Sequence, residues 1–254
     1  MDMNKNEATY NYVLRLADNS MILAQRLAEW CSRGPILEED LAMTNISLDL
    51  LGQAENFYNY AAELKGNTVT ADQLAFLRSE REYLNNLLVE QPNGDFAFTM
   101  MRQLMYSCLA KHWYEGLLIS KDEVLASLAA KALKEVKYHL RHSSEWIIRF
   151  GNGTEESQQR NAFALTELWR FTEDMFEMNE VDEMLLSEGI VVNLNDIYPM
   201  WKAEMTFILE EAGMQIPEVH NTIKGNLQGI HTEHLGHLLC EMQYLQRAHP
   251  GAEW

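Results

Sequence analysis

The sequence predicts an all-α protein, folded as an antiparallel bundle of helices 20–30 residues long, on three observations. Punctuation is sparse: 254 residues hold 5 Pro and 13 Gly, with no proline between Pro92 and Pro199, whereas sheets need frequent turns. Apolar side chains recur at helical spacing through most of the chain. No strand-like alternation of four or more residues competes, the short Gly189–Ile–Val–Val192 run apart. The 47% apolar share is ample for a core, and with no linker or low-complexity stretch residues 1–254 read as a single domain.

Each element has its own signal. Residues 9–32 carry a stripe of Tyr10, Val13, Leu14, Ala17, Met21, Ala24 and Ala28, stopped by Gly34-Pro35. A second stripe runs through Ile46, Leu50, Ala54, Phe57, Ala61 and Leu64 to Lys65-Gly66-Asn67. Thr70-Ala-Asp-Gln73 is a capping box that opens a helix to about Glu90, and Gln91-Pro-Asn-Gly94 is a turn. A methionine-rich helix from Asp95 to about Ile119 holds Met100, Met101 and Met105, suited to adaptable packing or plain core filling. Ser120-Lys-Asp-Glu123 reads as a second capping box. The helix it opens keeps Leu125, Ala129, Ala132, Val136, Leu140, Ser143 and Ile147 in register until Gly151-Asn-Gly153. Further helices fit 157–178, 180–188, 196–213 and 229–247. The helix pairs 9–65 and 95–150 are compatible with a ferritin-like plan carrying additional C-terminal helices, although up-down bundles in general share that layout.

Charge narrows the partners. Lys and Arg number 20 against 38 Asp and Glu, a net of -18, which repels a phosphate backbone and an anionic membrane surface. No uncharged apolar run is long enough to span a bilayer, and MDMNKNEATY lacks the pattern of a signal peptide. Cys31, Cys108 and Cys240 stand far apart with no CxxC and read as buried free thiols of a reducing cytoplasm.

A ferritin-like bundle invites a test for a di-iron centre, which needs carboxylates on two helices and Glu-x-x-His on two others. Three residues before the histidines at 112, 139, 142, 220, 231, 234, 237 and 249 no acid occurs, and residues 1–111 contain no histidine. A two-pair centre is therefore excluded on ligand count. Polar residues still stand at degenerate di-iron positions: Asp18 mid-helix, Asn45 and Asp49 four apart with Gly52 at the histidine slot, and Glu135 followed by Tyr138. The plainer reading makes Asp18, Asp49 and Glu135 ordinary charges, solvated or paired with cations such as Arg15, Lys111 or Lys137. A second cluster, His231-Thr-Glu233-His234-Leu-Gly-His237, is a weak metal signal without a cysteine pair, and a structural role explains it more cheaply.

The residues also carry a resemblance. Arg15-Leu-Ala-Asp-Asn19, Gln25 to Cys31, Asp49-Leu-Leu-Gly-Gln-Ala54, Val89 to Gly94 and Tyr138-His-Leu-Arg141 resemble the structural (PaaC-type) subunits of the ring-1,2-phenylacetyl-CoA epoxidase mono-oxygenase. So do Leu168 to Thr172, His231 to Gly236, Glu241 to Arg247 and the ending Pro250-Gly-Ala-Glu-Trp254, so the likeness covers nearly the whole chain. It implies a ferritin-like fold and a non-catalytic role in phenylacetate catabolism, beside a catalytic oxygenase subunit that holds the di-iron site. It further implies smaller subunits and a reductase with flavin, an iron–sulfur cluster and NADPH, while O2 is consumed and this chain itself carries no metal, cofactor or catalytic residue. An isolated chain could pair with its own copy.

Two other functions compete. One is an independent metalloenzyme with a mononuclear site near His231, His234 and Glu241; the other is a ferritin-like storage protein, for which no ferroxidase ligand set assembles. The stretch 155–188, ten acids against Arg160 and Arg170, reads as a solvated face or a docking surface for a basic partner.

Overall fold

The computed structural model describes residues 4–66, 68–218 and 221–252. Asn67 of the Lys65–Asn67 stop, His220 and the last two residues of the Pro250–Trp254 ending lie outside the described residues. Among those described, the chain forms ten α-helices and no strand, so it is all-α, and the Gly189–Val192 run is not a strand. They are α1 (Lys5–Ala28), α2 (Leu37–Leu64), α3 (Ala71–Phe76), α4 (Phe96–Leu117), α5 (Glu123–Gly151), α6 (Glu155–Trp169), α7 (Glu180–Ser187), α8 (Leu194–Glu211), α9 (Glu233–Met242) and α10 (Tyr244–Ala248).

The chain divides into two compact units. The first takes Met1–Pro92, Asn179–Leu185 and Gly225–Trp254; the second takes Asn93–Met178 and Leu186–Lys224. In the first unit α1 and α2 run antiparallel: Lys65 covers the Tyr10 ring, Tyr58 bonds Asp18, and Ser47 bonds the Ala24 carbonyl. Every residue of α1 from Tyr12 to Ala24 is buried. A helix buried on all sides must be apolar or small, or must bring its polar groups ready-paired. Arg15, Asp18, Asn19 and Ser20 fall inside that stretch, and each has partners.

The second unit repeats the device with α4, buried without a break from Thr99 to Ala110. Its partner α5 runs antiparallel, with Phe96 against Trp146 and Phe150 at one end and Glu115 paired to Lys137 at the other. All seven residues of the predicted α5 stripe are buried. Helices α6 and α8 pack on α4, and the Trp201 indole donates to the Met105 carbonyl at 3.0 Å. Met100, Met101 and Met105 are core.

The local signals hold in part. The Thr70–Gln73 capping box forms as read, but its helix stops at Phe76 rather than near Glu90. A second box, Ser79 with Glu82, starts a 3₁₀ turn there. Side chains of α1 then supply what helix bonds would: Asp18 accepts the Leu84 N–H and Asn19 the Asn86 N–H. The start of α5 also differs, since Asp122, not Ser120, accepts the Leu125 N–H, while Ser120 donates to the Ile190 carbonyl. Two later helices are divided: 157–178 becomes α6 plus a 3₁₀ turn, and 229–247 becomes α9 and α10. At the end of α1 the core ends too. Ala28 and Cys31 are exposed and Trp30 is half-buried, because the helix ends at Ala28. Cys240 is likewise exposed, so only Cys108 is a buried thiol.

Leu27, just before that end, is 1% exposed. Leu27→Ala is expected to cost roughly 2–5 kcal/mol, read as the shift in a denaturant unfolding curve.

Candidate functional site

The sequence pointed to Asp18 first. Its carboxylate is fully buried and takes a two-pronged guanidinium contact from Arg78, the Tyr58 hydroxyl at 2.7 Å and the Leu84 N–H at 2.8 Å. Arg78 lies on the turn after α3 and stacks on the Tyr83 ring. Burial pulls the guanidinium pKa down, but the Asp18 charge outweighs it and leaves Arg78 firmly charged. Tyr58 is pushed up by burial and by Asp18, so it remains a donor. Four donors on one carboxylate leave no lone pair aimed at a metal.

The partner is thus Arg78, and none of the cations suggested by the sequence. Arg15 pairs with Asp182, Lys111 with Glu204, and Lys137 with Glu115. Of the other degenerate positions in the first unit, Asn45 is exposed, Asp49 half-buried, and Gly52 would leave an added Cβ with nothing within 4 Å. In the second unit Glu135 is half-buried and Tyr138 exposed.

The histidine cluster resolves into a different object. His231 and Glu90 are paired with both side chains wholly buried, Nδ1 to Oε2 at 2.8 Å. The other ring nitrogen meets the Tyr83 carbonyl at 2.9 Å. Thr232 donates its N–H and hydroxyl to the second Glu90 oxygen, and Asn85 donates to the first. A carbonyl accepts only, so Nε2 carries a proton; the pairing with a carboxylate then favours a proton on Nδ1 as well. With both nitrogens committed, His231 offers nothing to a metal. His234 is half-buried, and Glu241 is exposed. The mononuclear reading around His231, His234 and Glu241 finds no such group: among the described residues these three do not come together as a metal-holding set.

A third centre was not singled out by the sequence. On α4, Cys108, Lys111 and His112 share one face, and Glu204 of α8 reaches them. Glu204 accepts from Lys111 at 2.7 and 2.8 Å and meets His112 Nε2 at 2.7 Å, with the Cys108 sulfur at 3.6 Å. Burial pushes its carboxyl up, but the hydrogen bonds of His112 and Lys111 win and hold it at about 2. Burial, then Glu204, pushes the Cys108 thiol well above its ordinary range. The signal was there to find: Cys108 and His112 stand one helical turn apart. Glu204 lies 92 residues beyond His112, and no local pattern supplies it.

The acidic stretch is not uniformly a solvated face. Asp182 is buried against Arg15, Asp174 is buried, and Glu173 and Glu177 face Lys224. On α2 three leucines are strongly exposed: Leu37, Leu41 and Leu48, at 71%, 54% and 59%. Spacings of four and seven place them on one helix face.

Two outcomes follow for the buried pairs. Arg78→Met, which leaves Asp18 buried without its counter-charge, is expected to destabilise by roughly 3–5 kcal/mol, measured by denaturant unfolding. The second concerns pH. Burial pulls the His231 pKa down, but Glu90, the Tyr83 carbonyl and Glu80 raise it above its ordinary 6.5. A raised folded pKa gives stability that is full below 6.5 and lost as pH rises through the folded value. The stability difference between the native chain and His231→Gln should therefore shrink as pH rises from about 6 upward, followed by unfolding at several pH values.

Comparison with known proteins agrees over the whole length. The phenylacetic acid catabolic protein family matches residues 1–254. One of the subunits of the 1,2-phenylacetyl-CoA epoxidase of Escherichia coli (strain K12) is 49% identical over 243 residues, covering 96% of this chain and 98% of that protein.

Proposed function

Because the chain belongs to the phenylacetic acid catabolic protein family, whose ferritin-like helical fold it fits, we propose that it is a non-catalytic structural subunit of a di-iron mono-oxygenase complex that epoxidises phenylacetyl-CoA in bacterial phenylacetate catabolism. The observation that carries this is the 49% identity to a 1,2-phenylacetyl-CoA epoxidase subunit across nearly all of both chains. In this reading a catalytic sister subunit holds the iron, while a reductase brings flavin, an iron–sulfur cluster and NADPH, and smaller subunits fill out the assembly.

The side chains support the division of labour. Iron needs carboxylates with free lone pairs and imidazoles beside them; the chain has no acid-x-x-His pair, and Asp18 is spent on Arg78, Tyr58 and Leu84. In place of ligands it offers long helices with an uncovered leucine face on α2. Such faces suit the large apolar interfaces of lasting complexes, and burying one can hold a partner's ligand-bearing helices in place. The chain would work as one domain, since neither compact unit is a continuous stretch of sequence. It would work in the cytoplasm: among the described residues no helix is long and apolar enough to cross a membrane, and no cysteine is in a disulfide.

Co-expressed with a catalytic oxygenase subunit, the chain is expected to elute with it as one complex on size exclusion and to show no phenylacetyl-CoA turnover alone with reductase and NADPH. Leu41→Glu with Leu48→Glu should weaken that complex while leaving unfolding nearly unchanged. Separate elution of the native chains, with the sister fully active unaided, would overturn the reading.

A further inference from the structure

We propose that Cys108, His112 and Glu204 form a binding site for one zinc-like divalent cation, with Lys111 as the internal cation that holds the carboxylate until the metal takes it. The site lies wholly within the second unit. One Cys Sγ, one His Nε2 and one Glu Oε atom lie within 4.8 Å of one another, the one such group of three among the described residues.

The donor chemistry selects the metal class. A thiolate, an imidazole and one carboxylate oxygen form a mixed S, N, O set of the kind zinc takes, and hard ions such as magnesium or calcium avoid sulfur. Zinc bonds of about 2.0–2.3 Å in a tetrahedral shell set donor atoms about 3.3–3.7 Å apart. The sulfur–carboxylate distance of 3.6 Å already lies in that range. The imidazole–carboxylate distance of 2.7 Å is a hydrogen bond and must open by about half an ångström. Cys108 and His112 stand one turn apart on a single helix, so two donors are placed by the backbone of α4. Behind the imidazole, Nδ1 faces Glu115 Oε2 at 3.9 Å, and Glu115 is in turn paired with Lys137. A metal-binding histidine is commonly oriented by such an outer carboxylate, and Glu115 must close by about an ångström to hydrogen-bond the ring.

The exchange balances. Bonds form from the metal to sulfur, nitrogen and oxygen. The Cys108 thiol proton leaves to solvent, and the proton that His112 Nε2 donates to Glu204 is lost from that nitrogen, the neutral ring keeping its one proton on Nδ1. Lys111 gives up Glu204 and stays protonated; its side chain is 21% exposed, which leaves it a path to water. One thiolate and one carboxylate neutralise the dication, and a water completes the shell. Lys111 and the metal therefore compete for the same two oxygens.

Cobalt(II) is the probe, because thiolate ligation gives a charge-transfer absorption and a tetrahedral shell gives strong visible bands. The titration uses the full chain with Cys31→Ser and Cys240→Ser, so that Cys108 is the one thiol left. One equivalent of cobalt should raise both bands, and zinc should abolish them. Cys108→Ser should remove the charge-transfer band, His112→Gln should weaken binding about tenfold or more, and Lys111→Met should tighten it. His112→Gln and Lys111→Met keep the test open if the buried Cys108→Ser chain does not fold. Absence of binding, a spectrum without thiolate character, or affinity indifferent to both His112 and Lys111 would overturn the site.

Discussion

The buried Asp18 carboxylate is the constraint on which the first unit depends. Placed in the middle of a helix that is buried on every side, it has no route to water, and an unmatched charge there would cost several kcal/mol. Its four donors come from places far apart in sequence: Tyr58 from α2, the Arg78 guanidinium from beyond α3, and the Leu84 N–H. Satisfying one charge therefore fixes where α2 lies on α1 and where the chain after α3 must pass. The same segment is then held from its other side, where His231 donates to Tyr83 and pairs with Glu90, and Arg26 reaches the Glu90 carbonyl. A stretch with no α-helix is held in place by side chains that end on its backbone.

What was legible in the sequence was what is local. The capping pair Thr70 and Gln73 and the seven-residue stripe of α5 are set by neighbours within a few positions, and both stand in the structure. What was not legible is what comes from afar. Residues 77–90 have a composition that tolerates helix, and long-range bonds, among them those from Asp18, Asn19, His231 and Arg26, hold the irregular path instead. Asp18 was recognisable as a residue of interest, but its partner was not, because Arg78 is 60 positions away and lies on no shared helix face. The exposure of Cys31 was missed because the helix was carried to residue 32, four residues beyond the actual end of α1.

Composition misled most in the acidic run. Ten acids in 155–188 look alike in sequence, yet Asp182 is as buried as any leucine and Glu156 meets Arg160 on an exposed surface. An exposed i, i+4 pair of that kind contributes little, whereas the Arg15–Asp182 pair cannot lose one member without stranding the other. One run of exposed leucines, by contrast, falls on α2, where the sequence reading looked for metal ligands and the structure places Leu37, Leu41, Asn45 and Leu48 at the surface.

A guanidinium on a buried carboxylate differs in chemistry from a metal on one. A metal between carboxylates must leave positions open for oxygen and substrate, so its ligands have to tolerate changes of geometry during turnover. A guanidinium has no open position and no second oxidation state; its donors form a fixed fork that matches a carboxylate and stays charged at every working pH. Asp18 and Arg78 therefore supply what a metal centre supplies to a bundle, a polar tie across the interior, without its reactivity. Removing Arg78 would not create an iron site, because no histidine stands in residues 1–111 to complete one. The tie gives rigidity where ligands would give chemistry, which is what the proposed structural role asks of this helix.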